Sequence, residues 1–269
     1  QSKNKFEIYT EFKQQAMLEF KDKEYEKALS NFQKAIDLKP TEDVSVYFYA
    51  TACALNTNEL EKAKKLLIAS IHHTNASKNY FLNFKEFKNF RNEKMFTEIE
   101  KDYEKHISKF YKKLEHPKIY QEIDSLIEID QKVRKNDNEI SKMAEVDSSN
   151  IKRLIEITKK YGWQSKGWLI LWHQRGTYGQ DNYIWNFFKP YIDQQIQKGN
   201  IEKSFWTIFE EEKSIIESQE QIYGLYWGQF DQFPIKDIAN VDKRRAENGL
   251  PPLWYMEKVY GVELPTEYR

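Results

Sequence analysis

Apolar residues recur every three or four positions along most of this chain, the spacing that collects them on one face of an α-helix. Ile119, Ile123, Leu126, Ile127 and Val133 make one such stripe, Ile151, Leu154, Ile155 and Tyr161 a second, and Ile184, Phe187, Phe188, Tyr191 and Ile196 a third. The second is expected to open at Asp147 or Ser148, both good N-caps, and to stop at Gly162. Gly167 to Gln174 reads as a short, almost wholly buried helix bearing His173. The third runs from Asn182 to Lys198, with Pro190 placed to kink or restart it. Gly199 and Asn200 then turn the chain into a helix holding Phe205, Ile208, Phe209 and Ile216. Beyond Gln221 the breakers Gly224, Gly228, Pro234, Pro251 and Pro252 predict mostly loop, with one short helix around Val241 to Asn248 ended by Gly249.

Glycine divides the chain more sharply than any other residue, because every glycine and every tryptophan lies at or after Gly162. Before it only Pro40 and Pro117 interrupt a stretch rich in Lys, Glu, Leu and Ala, which argues for helices throughout. His116 and Pro117 mark a boundary, since the residue before proline is pushed out of helical geometry. The chain, long enough for two cores, is therefore read as 1–116 and 117–269.

Within the first part, Phe12, Ala16, Tyr25, Ala28, Phe32, Ala35 and Pro40 follow the order large, small, aromatic, small, aromatic, small and terminal proline. This order resembles the tetratricopeptide repeat, in which small residues let two antiparallel helices approach and the proline stops the second. A weaker copy runs from Asp43 to Ile71, with Tyr49 and Ala50 on one helix and Ala63, Leu67 and Ser70 on the other. Such units bury their faces only against neighbours, so the aromatic segment Asn79 to Leu114 is expected to cap them. It continues into a charged helix with Ile99, Tyr103, His106 and Phe110 at helical spacing; His106 reads as packing rather than metal binding. His72 and His73 point to different faces of any helix and share no metal. The fold class is thus all-α: tetratricopeptide-like hairpins plus a second irregular helical domain with a loop-rich C-terminal tail.

Charge changes the picture by exclusion. Basic and acidic residues balance at 42 each, so no long-range pull toward nucleic acid is expected. No run approaches the length of a membrane-spanning helix. The start at Gln1 suggests a mature, exported protein, periplasmic, envelope-associated or extracellular. Cys53, the one cysteine, reads as a small buried residue.

Standard catalytic signatures are absent: no glycine-rich phosphate loop, H-E-x-x-H, cysteine cluster or G-x-S-x-G, and no metal or cofactor is expected. What remains is a set of polar residues in apolar or turn-forming surroundings. Asp130 continues the first stripe and Arg134 lies one turn on, so both face inward or line a cleft. Gln131 stands beside them, His173 ends the tryptophan-rich helix, Gln221 and Tyr223 precede Gly224, and Arg244 and Arg245 come near the end.

Asp130-Gln131-Lys132-Val133-Arg134, Asp147 to Asn150, Tyr161-Gly162-Trp163, His173, Gln221-Ile222-Tyr223-Gly224 and Val241 to Leu253 stand in an order that resembles a bacterial family of uncharacterised domains, often exported and joined to helical repeats. The resemblance implies no known reaction. It departs at Trp172, Gln174 and Arg175, where the family carries glutamine, alanine and aspartate around the histidine, at Leu225 and Tyr226, where it carries threonine and glutamine, and at Glu211 and Glu212, which replace an aspartate–arginine pair. The expectation is an interaction protein. Its repeats would bind a peptide or protein, and a polar pocket of Gln131, Arg134, Gln221, Tyr223, Arg244 and Arg245 would hold a small polar or anionic ligand. The alternative is a hydrolase-like or transferase-like enzyme with His173 as acid or base and Asp130 orienting it.

Overall fold

The structure, a computed structural model, describes residues 3–38, 43–135 and 141–268. Its fold is all-α. The chain divides into two units, Gln1–Lys113 with Pro251–Leu264, and Leu114–Leu250 with Pro265–Arg269. The break thus falls just before the expected His116 boundary, and a late segment groups with the first unit rather than with 117–269.

In the first unit a capping box starts α1 (Lys5–Lys21): the Glu7 N–H donates to Asn4 Oδ1 at 2.9 Å and the Asn4 N–H to Glu7 Oε2 at 2.8 Å. α1 packs on α2 (Tyr25–Leu38), α2 on α3 (Val44–Asn56) and α3 on α4 (Leu60–Thr74). Ala16, Ala28, Ala35, Ala50 and Ala63 are all fully buried, as close approach of paired helices requires. Between the hairpins, the Tyr49 ring meets Phe20 at 4.9 Å and Phe32 at 6.2 Å between centroids. Cys53 is buried in α3, where desolvation pushes its thiol up to about 12 and keeps it protonated. Pro40, the expected stop of α2, lies outside the described residues.

The aromatic segment folds as α5 (Lys78–Asn83), a 3-10 turn over Lys85–Phe90, α6 (Lys94–Lys101) and α7 (Tyr103–Lys113). Phe84 and Phe87 cover Phe48 of α3 at 5.0 and 5.4 Å, so this segment closes the open face of the second hairpin. Arg91 donates to the carbonyls of Phe81 and Phe84 at 2.6 and 3.1 Å while lying over the Phe96 ring. The single charged helix expected here is two. Asp102 ends α6 by donating its N–H to the Glu98 carbonyl and starts α7 by accepting from Lys105 and His106.

The second unit begins with α8 (Pro117–Lys135), whose proline occupies the first position, where its missing N–H costs nothing. α9 (Met143–Tyr161) opens a turn earlier than expected and runs through Asp147 and Ser148. Asp147 takes a side-chain partner across helices instead of capping its own. α10 (Trp168–Trp172) packs on α9 so closely that a Cβ on Gly167 would meet Leu154 Cδ1 at 2.5 Å. α11 (Tyr183–Gln197) continues through Pro190 instead of restarting there. On α12 (Thr207–Ser218), fully buried Phe209 sits amid Trp172, Tyr178, Trp185 and Trp206, with ring centroids 5.3–5.8 Å away.

From Gln221 onward the chain is mostly loop, as expected, but besides α13 (Val241–Glu247) it forms one α-helix more than expected. Pro251 and Pro252 read as breakers, yet Pro252 caps α14 (Leu253–Tyr260), because proline is tolerated just before a first turn. Leu253, Met256 and Val259 are buried at helical spacing, and α14 packs against α1 in the first unit, with Lys258 Nζ 2.7 Å from Asp22 Oδ2.

Candidate functional site

Asp130 lies on the buried face of α8 with 1 % of its surface exposed. A carboxylate cannot stay there uncompensated, since desolvating a lone charge costs several kcal/mol. Arg134, one turn on, supplies the compensation: its Nε donates to Asp130 Oδ1 at 3.2 Å and its Nη2 lies 3.1 Å from the same oxygen. That Nη2 also pairs with Asp147 of α9, so one guanidinium joins two helices through two carboxylates. Gln131 adds an amide hydrogen bond to Asp130 Oδ2 at 2.8 Å.

His173, immediately after α10, completes the group. Its Nε2 is 3.5 Å from Asp130 Oδ2, is shut off from solvent, and has no hydrogen-bond partner among the described residues. Burial pushes the imidazole below its ordinary value, helped by Arg134 and Arg175 and opposed by Asp130 and Asp147, so the ring is neutral near pH 7. Asp130, Asp147 and His173 each present one ligand-type atom, all within 4.8 Å of one another. This is the one place in the second unit where the expected residues Asp130, Gln131, Arg134 and His173 meet. Asp147, read from the sequence as a helix cap, belongs with them; its place in the Asp147 to Asn150 motif was the available signal.

Gln221, Tyr223, Arg244 and Arg245 are engaged elsewhere. They build a turn on α12, whose buried Glu211 accepts the backbone N–H groups of Ile222, Tyr223 and Leu225 at 2.5, 2.9 and 2.7 Å. Burial pushes the Glu211 carboxyl up, against the pull of those donors. Gln221, fully buried, donates to the Phe233 carbonyl at 2.9 Å and accepts from the Tyr226 N–H at 2.9 Å. The neighbouring carboxylates take the ring hydroxyls: Glu210 that of Tyr223 at 2.6 Å, and Glu212 that of Tyr226. Gly224 sits at φ +68°, the left-handed geometry the turn requires. Arg244 donates to the carbonyls of Ile222, Lys236 and Asp237, and Arg245 to that of Tyr223. Of these four residues, expected to line a ligand pocket, Gln221, Arg244 and Arg245 donate to the backbone of the turn and the Tyr223 hydroxyl donates to Glu210. Glu211 and Glu212, noted in the sequence only as departures, anchor it.

The first unit holds two further features. A groove of about 480 Å³ runs between α2 and α4, lined by Gln33, Asp37, Tyr47, Lys62, Lys65 and His73 among others. Tyr47 is 1 % exposed, its ring stacks on His73, and its hydroxyl has no hydrogen-bond partner among the described residues. Burial, then the charge of Asp37, pushes that hydroxyl up to about 12, so it stays a donor.

His72, on α4, meets His106 of α7 with Nε2 and Nδ1 3.1 Å apart, a pairing across distant positions that face-by-face sequence reading missed. Such a bond needs one ring nitrogen without a proton to accept from the other, which two protonated rings do not offer. Burial lowers both imidazoles; His106, Lys109, Lys113 and His73 push His72 further, to about 4. The unfolded chain protonates His72 near pH 6.5 and the folded one only near 4, so the stabilisation is present above about 6.5 and lost as pH falls. The thermal midpoint is expected to drop between pH 7 and 4.5, and the drop to shrink in His72→Asn; equal slopes in both proteins would remove the pair as its cause.

No protein-family model, curated protein or solved structure matches the chain.

Proposed function

We propose that the protein is an interaction protein with a binding place in each unit. The tetratricopeptide-like first unit takes a carboxylate-bearing peptide in the groove between α2 and α4. In the second, the group of Asp130, Gln131, Arg134, Asp147 and His173 holds a small polar ligand. The observation that carries the peptide reading is the Tyr47 hydroxyl. An unsatisfied buried donor costs about 1–3 kcal/mol, and an acceptor from a ligand would recover that. The lysines at the rim, Lys62 and Lys65, suit an anionic group, and Ile36, Leu66 and Ala69 suit an adjoining apolar side chain. Entry would turn the half-buried His73 ring aside.

Tyr47→Phe separates folding from binding. Removing a hydroxyl that bonds to nothing is expected to leave the free protein as stable or about 1 kcal/mol more so. In fluorescence-anisotropy titrations against peptides ending in an apolar residue with a free carboxylate, the same variant should bind at least ten times more weakly. The wild type should ignore the corresponding C-terminal amides. Equal binding of acid and amide, or of Tyr47→Phe and wild type, would refute the groove as the docking place.

An enzymatic reading keeps one observation in its favour: His173 is neutral, with a free nitrogen beside a carboxylate, as an acid or base requires. The same residues serve either reading, and turnover lost in His173→Gln with ligand affinity retained would favour the enzyme.

A further inference from the structure

An ordinary buried ion pair satisfies its polar atoms, and the group around Asp130 does not. Two carboxylates, from α8 and α9, face one guanidinium, which leaves one negative charge over. Beside them the His173 Nε2 has no hydrogen-bond partner among the described residues, although the side chain is only 11 % exposed. Gln131 already fixes Asp130 Oδ2, as outer groups fix a ligating oxygen. The 3.5 Å between His173 Nε2 and Asp130 Oδ2 is close to the edge of a coordination tetrahedron with bonds of about 2.1 Å, which spans about 3.4 Å.

We propose that Asp130, Asp147 and His173 form a site for a first-row divalent cation of the manganese-to-zinc range, and that Arg134 holds the cation's place when the metal is absent. The inference rests on the reading that this group holds a small ligand, and it names the ligand. An imidazole nitrogen among the donors disfavours magnesium and calcium, which take oxygen alone, and suits zinc, iron or manganese. Two carboxylates and a neutral imidazole balance a double positive charge once the guanidinium has left. Arg134 can leave: it lies one residue from the end of α8, and its side chain is 20 % exposed. The lone pair that now faces nothing would then enter a bond. Arg134 and the metal compete for the same oxygens, so binding is exchange of one cation for another.

The test is calorimetric titration of the chelator-dialysed full chain with zinc, manganese and magnesium chlorides, with tryptophan fluorescence from Trp168 and Trp172 followed in parallel. One ion per chain is expected for zinc and manganese, and magnesium should be at least a hundredfold weaker. Arg134→Gln should tighten zinc binding at least tenfold by removing the competitor. His173→Gln and Asp147→Asn should weaken it at least tenfold, whereas His106→Gln should change nothing, which sets aside zinc held by the paired histidines. If Arg134→Gln does not fold, the His173 imidazole resonances of the wild type give the answer, since zinc must shift them. Zinc binding that ignores His173→Gln and Asp147→Asn overturns the proposal. Resonances unmoved by metals but shifted by a panel of small carboxylates and polyols overturn the cation and keep the ligand reading. Resonances unmoved by everything overturn both.

Discussion

Chemical denaturation of Glu211→Ala is expected to show a loss of about 4 kcal/mol, enough to leave the second unit marginal or unfolded. The carboxylate is fully buried and receives three backbone N–H groups from the turn that follows Gln221. Alanine strands all three without water, and each stranded donor costs about 1–3 kcal/mol before the turn relaxes. Gly224 is already committed to a left-handed backbone, so the turn has no ready alternative pairing. Glu211→Gln should lie between: its one oxygen still accepts, but its amide hydrogens meet the N–H donors head-on. A loss below about 1 kcal/mol in the alanine variant would mean that the turn is held by Gln221, Arg244 and Arg245 alone.

Phe209→Ala is expected to cost a similar 3–5 kcal/mol by a different route. The ring is fully buried among four larger aromatic neighbours whose planes meet it edge-on or tilted. Rigid indoles cannot collapse into the space a benzyl group leaves, so the cavity persists and both the transfer and the void are lost. Phe209→Leu should recover about half of the loss. The informative measurement is the midpoint of unfolding with tryptophan fluorescence as probe, since Trp172, Trp185 and Trp206 line the hole. A midpoint within experimental error of the wild type would show that the aromatic cluster is looser than its contacts imply.

Helices were legible because their signals are local. The alanines of the first hairpins, the stripe of α8 and the glycine stops are periodic or positional features that a linear string carries whole. The same logic misjudged Pro251 and Pro252: a proline forbids a helix interior but accepts a helix start, and only the spacing of Leu253, Met256 and Val259 separates the two cases. Asp147 was misread for a related reason, since an acidic residue before a helical stripe is a cap by default and Arg134 lies on another helix.

The candidate site was legible in part. Asp130 announced itself by interrupting an apolar stripe, and Arg134 followed from the helical repeat. That Arg244 and Arg245 would turn to backbone carbonyls, while His72 and His106 would face each other, depends on tertiary placement that no spacing rule encodes. Gln221 shows the limit most plainly. A polar residue in a glycine turn suggests a ligand contact, yet its amide is spent on holding Phe233 and Tyr226 in place.

The threading of α14 bears on how the molecule is made. The helix that completes the first unit is translated after all but the last few residues of the second, whereas α1, its partner, precedes the whole of the second unit. The early hairpins must therefore wait, with the α1 face that Lys258 and its neighbours later cover still wet, until Leu114–Leu250 of the second unit has been made. A stop between Leu114 and Leu250 would therefore remove a helix of the first unit as well as truncate the second.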